Sequence, residues 1–354
     1  MTESTERPKD LPWLTVARLP AALLVLLDHS SDSALSGLGV GPVRDILKAF
    51  AHSGGLAVPF FFILSGFILA HSQGTRTIVE PRKFYLARAA RILPVYYLGL
   101  LLCLPHFVLE AAEICADHPG AGGWARVAAR VVAVTGLVQT WVPSMALAWN
   151  VVAWSLACEA FFYLLFPFLF PRIRGLRDGV LLTILGLSIV PMVGRFVLFS
   201  IHPSLHLNFN PLVRLPEFVA GIALAVGFAR GWRMPGWTGL LALPGILWSL
   251  SQQGEALQVP RLVVLHAAYI ASILWLGRSA GWHSGAFRLL VFLGQASFAL
   301  YILHVGVYEY LRLLFAPSVL LWWTYLVLAL ALSAAVFQWV ETPGRRWVLS
   351  RARS

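Results

Sequence analysis

Arg18-Leu-Pro-Ala-Ala-Leu-Leu-Val-Leu-Leu-Asp-His29 lies inside the first hydrophobic segment, Leu11 to about Ser30. As a helix it rises ~1.5 Å per residue, so Arg18 and His29 stand roughly 16 Å apart along its axis. Nearly everything between them is aliphatic. A guanidinium near one end and an imidazole near the other are expensive in hydrocarbon unless each faces a partner or a wet cavity. The pair reads as the two ends of a path across a membrane.

Composition supplies the membrane. Of 354 residues, 58% are hydrophobic and only 12% charged, with a mean hydropathy of +0.75. A soluble domain carries about a quarter charged residues. Several runs approach the ~18 apolar residues that span a bilayer, so the fold class is all-α and polytopic. Candidate spans are 11–30, 55–72, 92–109, 150–170, 179–200, 211–229, 237–252, 260–277, 289–311 and 319–340. The first run has no small-residue cleavage site after a short apolar core, which argues against a signal peptide. One membrane domain over 1–354 is expected, with a polar tail at 1–10, a basic tail at 341–354 and no soluble C-terminal domain.

An eleventh apolar stretch, 124–142, contains Arg126 and Arg130 and is followed by Pro143. Loop charge decides its role. If it does not cross, Arg76, Arg82, Lys83, Arg88 and Arg91 share one side with Arg172, Arg174, Arg177, Arg230, Arg233, Arg278, Arg288, Arg345, Arg346, Arg351 and Arg353. Glu110, Glu113 and Asp117 then fall on the other side. Lys/Arg bias sets orientation, so ten crossings with both termini cytoplasmic are expected, and 124–142 becomes an interfacial or re-entrant piece outside. The same bias explains the net charge of +11 without nucleic acid.

Several residues could carry chemistry. His29 is either an interfacial histidine solvated by headgroups or, with Arg18 on its helix, a general base. Arg88 and Arg91, three apart, share a helix face and could clamp phosphate with two bidentate forks; coenzyme A is a natural ligand. Ser155, Glu159 and Tyr163, each four apart, form one polar stripe on an apolar helix. Glu159 is a site candidate by default, or it ties helices together through a buried arginine. Asn150, just before that span, is expected in the same outer vestibule.

Arg214 and Glu217 at the start of the sixth span are an ion pair or separate cavity residues, counted as substrate-binding. Ser65 and Gly66 read as a helix-packing notch. Ser297, Tyr301 and His304 line up at helical spacing, with His304 read first as a packed polar group. Cys103, Cys115 and Cys158 are small apolar filler. His202 and His206 have a metal-like spacing, but Pro203 separates them and no third ligand follows, so no metal is expected.

Together these stretches resemble the membrane acyltransferase-3 family of bacterial integral-membrane O-acyltransferases. Arg18 with ten residues before His29 is similar to its Arg-x10-His motif, and Arg88-Ala-Ala-Arg91 to its Arg-x-x-Arg motif. Phe61-Phe-Ile-Leu-Ser-Gly-Phe67, Trp154-Ser-Leu-Ala-Cys-Glu159 through Tyr163, and Val340-Glu-Thr-Pro-Gly-Arg-Arg-Trp347 are also family-like. The resemblance implies a ten-helix domain in the bacterial inner membrane that uses cytoplasmic acetyl-CoA or another acyl-CoA as co-substrate, with no permanently bound cofactor. It implies acylation of sugar hydroxyls on cell-surface glycans or their lipid-linked precursors or, in some members, of small molecules such as macrolides. The expected partners are therefore acyl-CoA, a glycan or lipid-linked saccharide, and membrane lipids.

On this reading Arg88 and Arg91 grip the coenzyme A phosphates with Arg18 nearby, and His29 acts as base or acyl carrier. Glu159 would orient or charge-stabilise His29, while Ser155 and Tyr163 donate to the thioester oxyanion. A transporter or flippase for a lipid-linked sugar, and a structural subunit of an export complex, are the rival readings.

Overall fold

The computed structural model describes residues 10–36, 41–74, 79–201, 207–252, 257–279, 281–282 and 284–351. Among them there is no strand. In chain order the helices begin with α1 (Pro12–His29), α2 (Ser31–Ala34), α3 (Pro42–Ala51), α4 (Gly54–Ser72) and α5 (Pro81–Leu102). Next come α6 (Leu104–Asp117), α7 (Ala121–Thr135), α8 (Ala153–Arg174), α9 (Asp178–Leu187), α10 (Ile189–Ile201) and α11 (Pro211–Ala229). The last five are α12 (Gly236–Ser251), α13 (Gln258–Arg278), α14 (Gly285–Leu314), α15 (Val319–Val336) and α16 (Thr342–Arg351).

Eight helical stretches are long and apolar enough to cross a membrane. Two of the ten expected spans are not among these eight. One is α1, which carries Arg18, Asp28 and His29; the other is α12, with 16 residues. The count of about ten is thus approximate, and the helical membrane architecture holds.

The third span begins earlier than its apolar run. Pro81 takes the first helical turn, where its missing N–H costs nothing, so α5 starts eleven residues before 92 and includes both Arg88 and Arg91. It ends at Leu102, with Pro105 in the first turn of α6. The 124–142 stretch overlaps α7, whose 15 residues span ~22 Å, short of a ~30 Å hydrocarbon core. Helix α7 pairs with α6 as a hairpin, and Arg130 Nε donates to Glu110 Oε1 at 3.1 Å across it. The Tyr96 and Tyr97 hydroxyls on α5 donate to the carbonyls of Val134 and Thr135. Two 3₁₀ turns, Gln139–Trp141 and Pro143–Met145, complete the segment.

Packing centres on α4 and α11. A Cβ at Gly66 would run into the Phe218 carbonyl, and one at Gly221 into the Ile63 carbonyl, so the two backbones touch. This is how membrane helices associate closely without a hydrophobic driving force. The rings of Phe62, Phe162 and Phe218 interlock α8 with that pair at centroid distances of 5.2 and 5.1 Å. Helix α1 lies between α4 and α14, and Gly294 of α14 sits against the Thr15 carbonyl.

Arginines tie loops at one end of the bundle. Arg230 donates to Asp178 Oδ1 at 2.6 Å and to the Arg174 carbonyl at 2.8 Å, and Arg278 donates to the Trp232 carbonyl. At the other end Ser53 donates to the Leu250 carbonyl at 2.9 Å and the Trp322 indole to Ser30 Oγ at 3.0 Å.

Candidate active site

Helices α1, α4, α5, α8 and α14 enclose a cavity of about 910 Å³, mouth included. Arg18, Arg88 and Arg91 line it from α1 and α5, and Ser155, Glu159 and Tyr163 line it from α8. The polar stripe on α8 therefore faces the arginines. Glu159 Oε2 accepts the Tyr163 hydroxyl at 2.9 Å, and Tyr163 in turn meets Ser65 Oγ at 3.2 Å. Arg91 Nε lies 3.7 Å from Glu341 Oε1. Helix α15 passes into a π turn at Phe337–Glu341, a distortion that often marks functional sites, and Glu341 is buried there. Arg88 lies over the Phe84 ring at 5.8 Å, with its buried Nε unpartnered. Three guanidiniums against one lining carboxylate leave the cavity an excess of positive charge, suited to a multiply charged phosphate group.

His29 lines a second cavity of about 570 Å³ with Cys103, His106, Trp149, Tyr308 and Glu309 among its walls. His29 Nδ1 lies 2.9 Å from the Val25 carbonyl, which can only accept, so Nδ1 carries a proton and, in the neutral imidazole, the lone pair is on Nε2. That is the state a general base needs. Between the cavities stand Tyr301 and His304 of α14. The Tyr301 hydroxyl meets Ser155 Oγ at 2.8 Å. The His304 ring lies 5.2 Å from the His29 ring and its Nδ1 is 2.8 Å from the Tyr301 carbonyl, with Nε2 buried and unpartnered.

Residues 11–338 match the family described as an acyltransferase domain. The chain belongs to that family. It is 29% identical over 323 residues to acyltransferase MdmB of Streptomyces mycarofaciens, covering 85% of this chain and 79% of that protein. It is 29% identical over 260 residues to exopolysaccharide production protein ExoZ of Rhizobium meliloti (strain 1021), covering 71% of this chain and 75% of that one. A shorter match, 45% over 56 residues, is to protein 2 in the picA locus of Rhizobium radiobacter, covering 15% of this chain and 29% of that one. No solved structure gives a significant match.

The chain is thus an acyltransferase in a helical membrane domain, and the transporter and structural-subunit readings give way to an enzyme. The acyltransferase brings Arg18, Arg88, Arg91, Ser155, Glu159 and Tyr163 to one cavity. It does not bring His29 there. Glu159 sits among the arginines instead of orienting His29, because α8 turns the whole stripe toward α5. Ser155 and Tyr163 are engaged by Tyr301 and Glu159 respectively.

Asn150 is not on a vestibule. It is 0% exposed, its amide donates to the Ile302 carbonyl at 3.0 Å, and its Oδ1 accepts the Val152 N–H at 3.3 Å, fastening the start of α8 to α14. Arg214 and Glu217 line neither cavity. They are the within-helix ion pair at 3.3 Å, completed by Arg195 at 2.6 Å from Glu217. Arg214 is further held by the Asn208 carbonyl at 2.7 Å and by the Trp154 ring at 5.1 Å.

Gly66 is the packing notch, while Ser65 beside it lines the arginine cavity. Cys158 is buried filler, but Cys103 lines the His29 cavity. His202 and His206 lie outside the described residues. Sequence reasoning passed over Arg195, whose position inside an apolar run was a usable signal, and quoted Glu341 only within the family-like ending, with no role of its own. It gave Trp149 and Glu309 no role, and nothing in their local pattern marks them.

Proposed function

We propose that this acyltransferase takes an acyl group, most simply acetyl, from an acyl-CoA whose phosphates lie against Arg18, Arg88 and Arg91. The acceptor is a hydroxyl of a cell-surface or exported polysaccharide, or of its lipid-linked precursor. One observation carries the reading: three guanidiniums line one cavity, and the helix that supplies Arg18 carries His29, with Nδ1 turned to its own backbone, at its other end. The likeness to a protein named for exopolysaccharide production supports the glycan acceptor. On this reading the donor end and both termini lie on the cytoplasmic side of a bacterial inner membrane, which the Lys/Arg bias of the loops supports.

In the transfer the acceptor oxygen attacks the thioester carbon while His29 Nε2 takes the hydroxyl proton. The C–S bond then breaks, the coenzyme A thiolate leaves with the proton from His29, and the acyl group remains as an ester. In a two-step version Nε2 itself attacks the thioester carbon, the C–S bond breaks and the thiolate leaves; the acceptor hydroxyl then attacks the acyl-imidazole, the C–N bond breaks, and its proton passes to the freed Nε2 or to the thiolate. The acyl group travels past the Ser155–Tyr301 contact in either case.

The test is release of coenzyme A thiol by purified protein given acetyl-CoA and a crude glycan acceptor, beside His29→Ala. Wild type should turn over and His29→Ala should bind coenzyme A yet release none. Equal release by both proteins would remove His29 from the mechanism.

A further inference from the structure

The two cavities differ in charge. The His29 cavity offers the carboxylate of Glu309, the imidazoles of His29 and His106, the hydroxyl of Tyr308 and the ring of Trp149, with no arginine or lysine in its lining. Glu309 makes no hydrogen bond or ion pair within the described residues, so both its oxygens are open acceptors. A neighbouring cation, Arg312, lies over the Tyr308 ring at 5.8 Å and outside the lining. Asp28, next to His29, is likewise outside the lining, 3.6 Å from His52.

Trp149 is a built wall. Its φ of 64° is a left-handed conformation that a bulky residue holds only when its surroundings over-determine it. Here its backbone N–H donates to Glu110 Oε2 at 3.0 Å, its indole N–H to the Leu100 carbonyl at 2.9 Å, and its ring stacks on Phe107 at 4.1 Å. The other oxygen of Glu110 takes Arg130, so the α6–α7 hairpin fixes this wall. A rigid aromatic surface with hydroxyl-binding acceptors and a carboxylate as its one formally charged lining group is a place for a hydroxylated ring.

We propose that this cavity is the acyl-acceptor site and that it selects uncharged or amine-bearing hydroxyl compounds over carboxylated or phosphorylated ones. The proposal rests on the acyltransferase reading with His29 as the reacting base. An anionic acceptor would meet Glu309 with no lining cation to offset it, whereas a hydroxyl or ammonium donates to that carboxylate. The donor and acceptor would then be sorted by charge at opposite ends of α1.

The test compares octyl glucoside, octyl glucosaminide and octyl glucuronide as acceptors of labelled acetyl from acetyl-CoA, using the full chain. The first two should be acetylated with a kcat/KM at least tenfold above the glucuronide. Glu309→Gln should bring the three within about threefold, with coenzyme A affinity unchanged. A glucuronide as good as the glucoside, or a ratio indifferent to Glu309→Gln, overturns the proposal. So does consumption of acetyl-CoA with no glycoside acetylated.

If acetyl-CoA is not consumed at all, the reading at His29 fails, and charge selection is read separately. His106→Cys in a background lacking the native cysteines is labelled with cationic and anionic methanethiosulfonates, each rate normalised to a free thiol. About tenfold preference for the cation at low salt, lost in Glu309→Gln, is expected; equal rates overturn the proposal.

Discussion

The arginine cavity and the His29 cavity share helices α1 and α14 and differ in the rest of their walls. The first is walled by long helices whose positions are set by backbone contact, so its charges arrive on rigid supports. The second takes one wall from Trp149, in an irregular segment held by the α6–α7 hairpin. One is rich in cations and the other has none in its lining. The difference teaches that a cation-rich site and one without lining cations can be set apart along the same helices, with Ser155, Tyr301 and His304 between them; on the proposed function the first takes an anionic donor and the second a neutral acceptor.

The comparison is most open to being broken at His29. His29→Ala should cost ~10²–10⁴-fold in acyl transfer, the usual loss for a missing general base, while leaving coenzyme A binding intact. Initial rates with parallel binding isotherms decide it. Weakened binding in this variant would merge the two cavities into one site.

A smaller effect is expected at the other end. Arg88→Ala and Arg91→Ala each remove a charged hydrogen-bond partner worth ~1.5–3 kcal/mol, or roughly ten- to over a hundredfold in coenzyme A affinity. Lysine should rescue poorly because the bidentate fork is lost. Calorimetry on Arg91→Lys is the sharpest case. Wild-type affinity there would leave the arginines as topology signals alone.

Glu159→Gln sharpens the division. If Glu159 belongs electrically to the arginine cavity, removing its charge should tighten coenzyme A binding about two- to fivefold, as for ~0.3–1 kcal/mol of a screened charge pair. Slower transfer with unchanged binding would instead join Glu159 to His29.

The smallest catalytic effect is expected at Asn150. Asn150→Ala removes the bond to the Ile302 carbonyl and leaves the buried Val152 N–H without its Oδ1 acceptor, at ~1–3 kcal/mol, so the thermal midpoint in detergent should fall while transfer per folded molecule and acceptor KM stay near wild type. A raised acceptor KM with an unchanged midpoint would return Asn150 to the acceptor site.

These sites divide along the same line as what could be read in the sequence. Charges inside apolar runs are expensive, so Arg18, His29 and Glu159 stand out from composition alone. Helical periodicity placed Ser155, Glu159 and Tyr163 on one face, and that face does line a cavity. It says nothing about which neighbour the face meets, so a buried arginine and His29 both stand as partners for Glu159 until α8 presents it to the arginines. The start of α5 was missed because a helix N-terminus can be polar while its apolar run begins three turns later. Trp149 depends on a backbone angle and Glu341 on a π turn, and neither leaves a mark in hydrophobic spacing.

The glycine contact between α4 and α11 also bears on how the protein is made. From Gly66 to Gly221 the growing chain adds 155 residues, the difference of the two positions. At ~5–20 residues per second, that takes about 8–30 s of synthesis. Throughout that interval α4 is complete but its backbone partner does not yet exist, and lipid offers its small-residue groove no substitute for a close-fitting helix. A nascent chain halted before Gly221 therefore presents an unfilled notch in the bilayer, a feature that a membrane-resident chaperone or protease can use to tell an unfinished copy from a finished one.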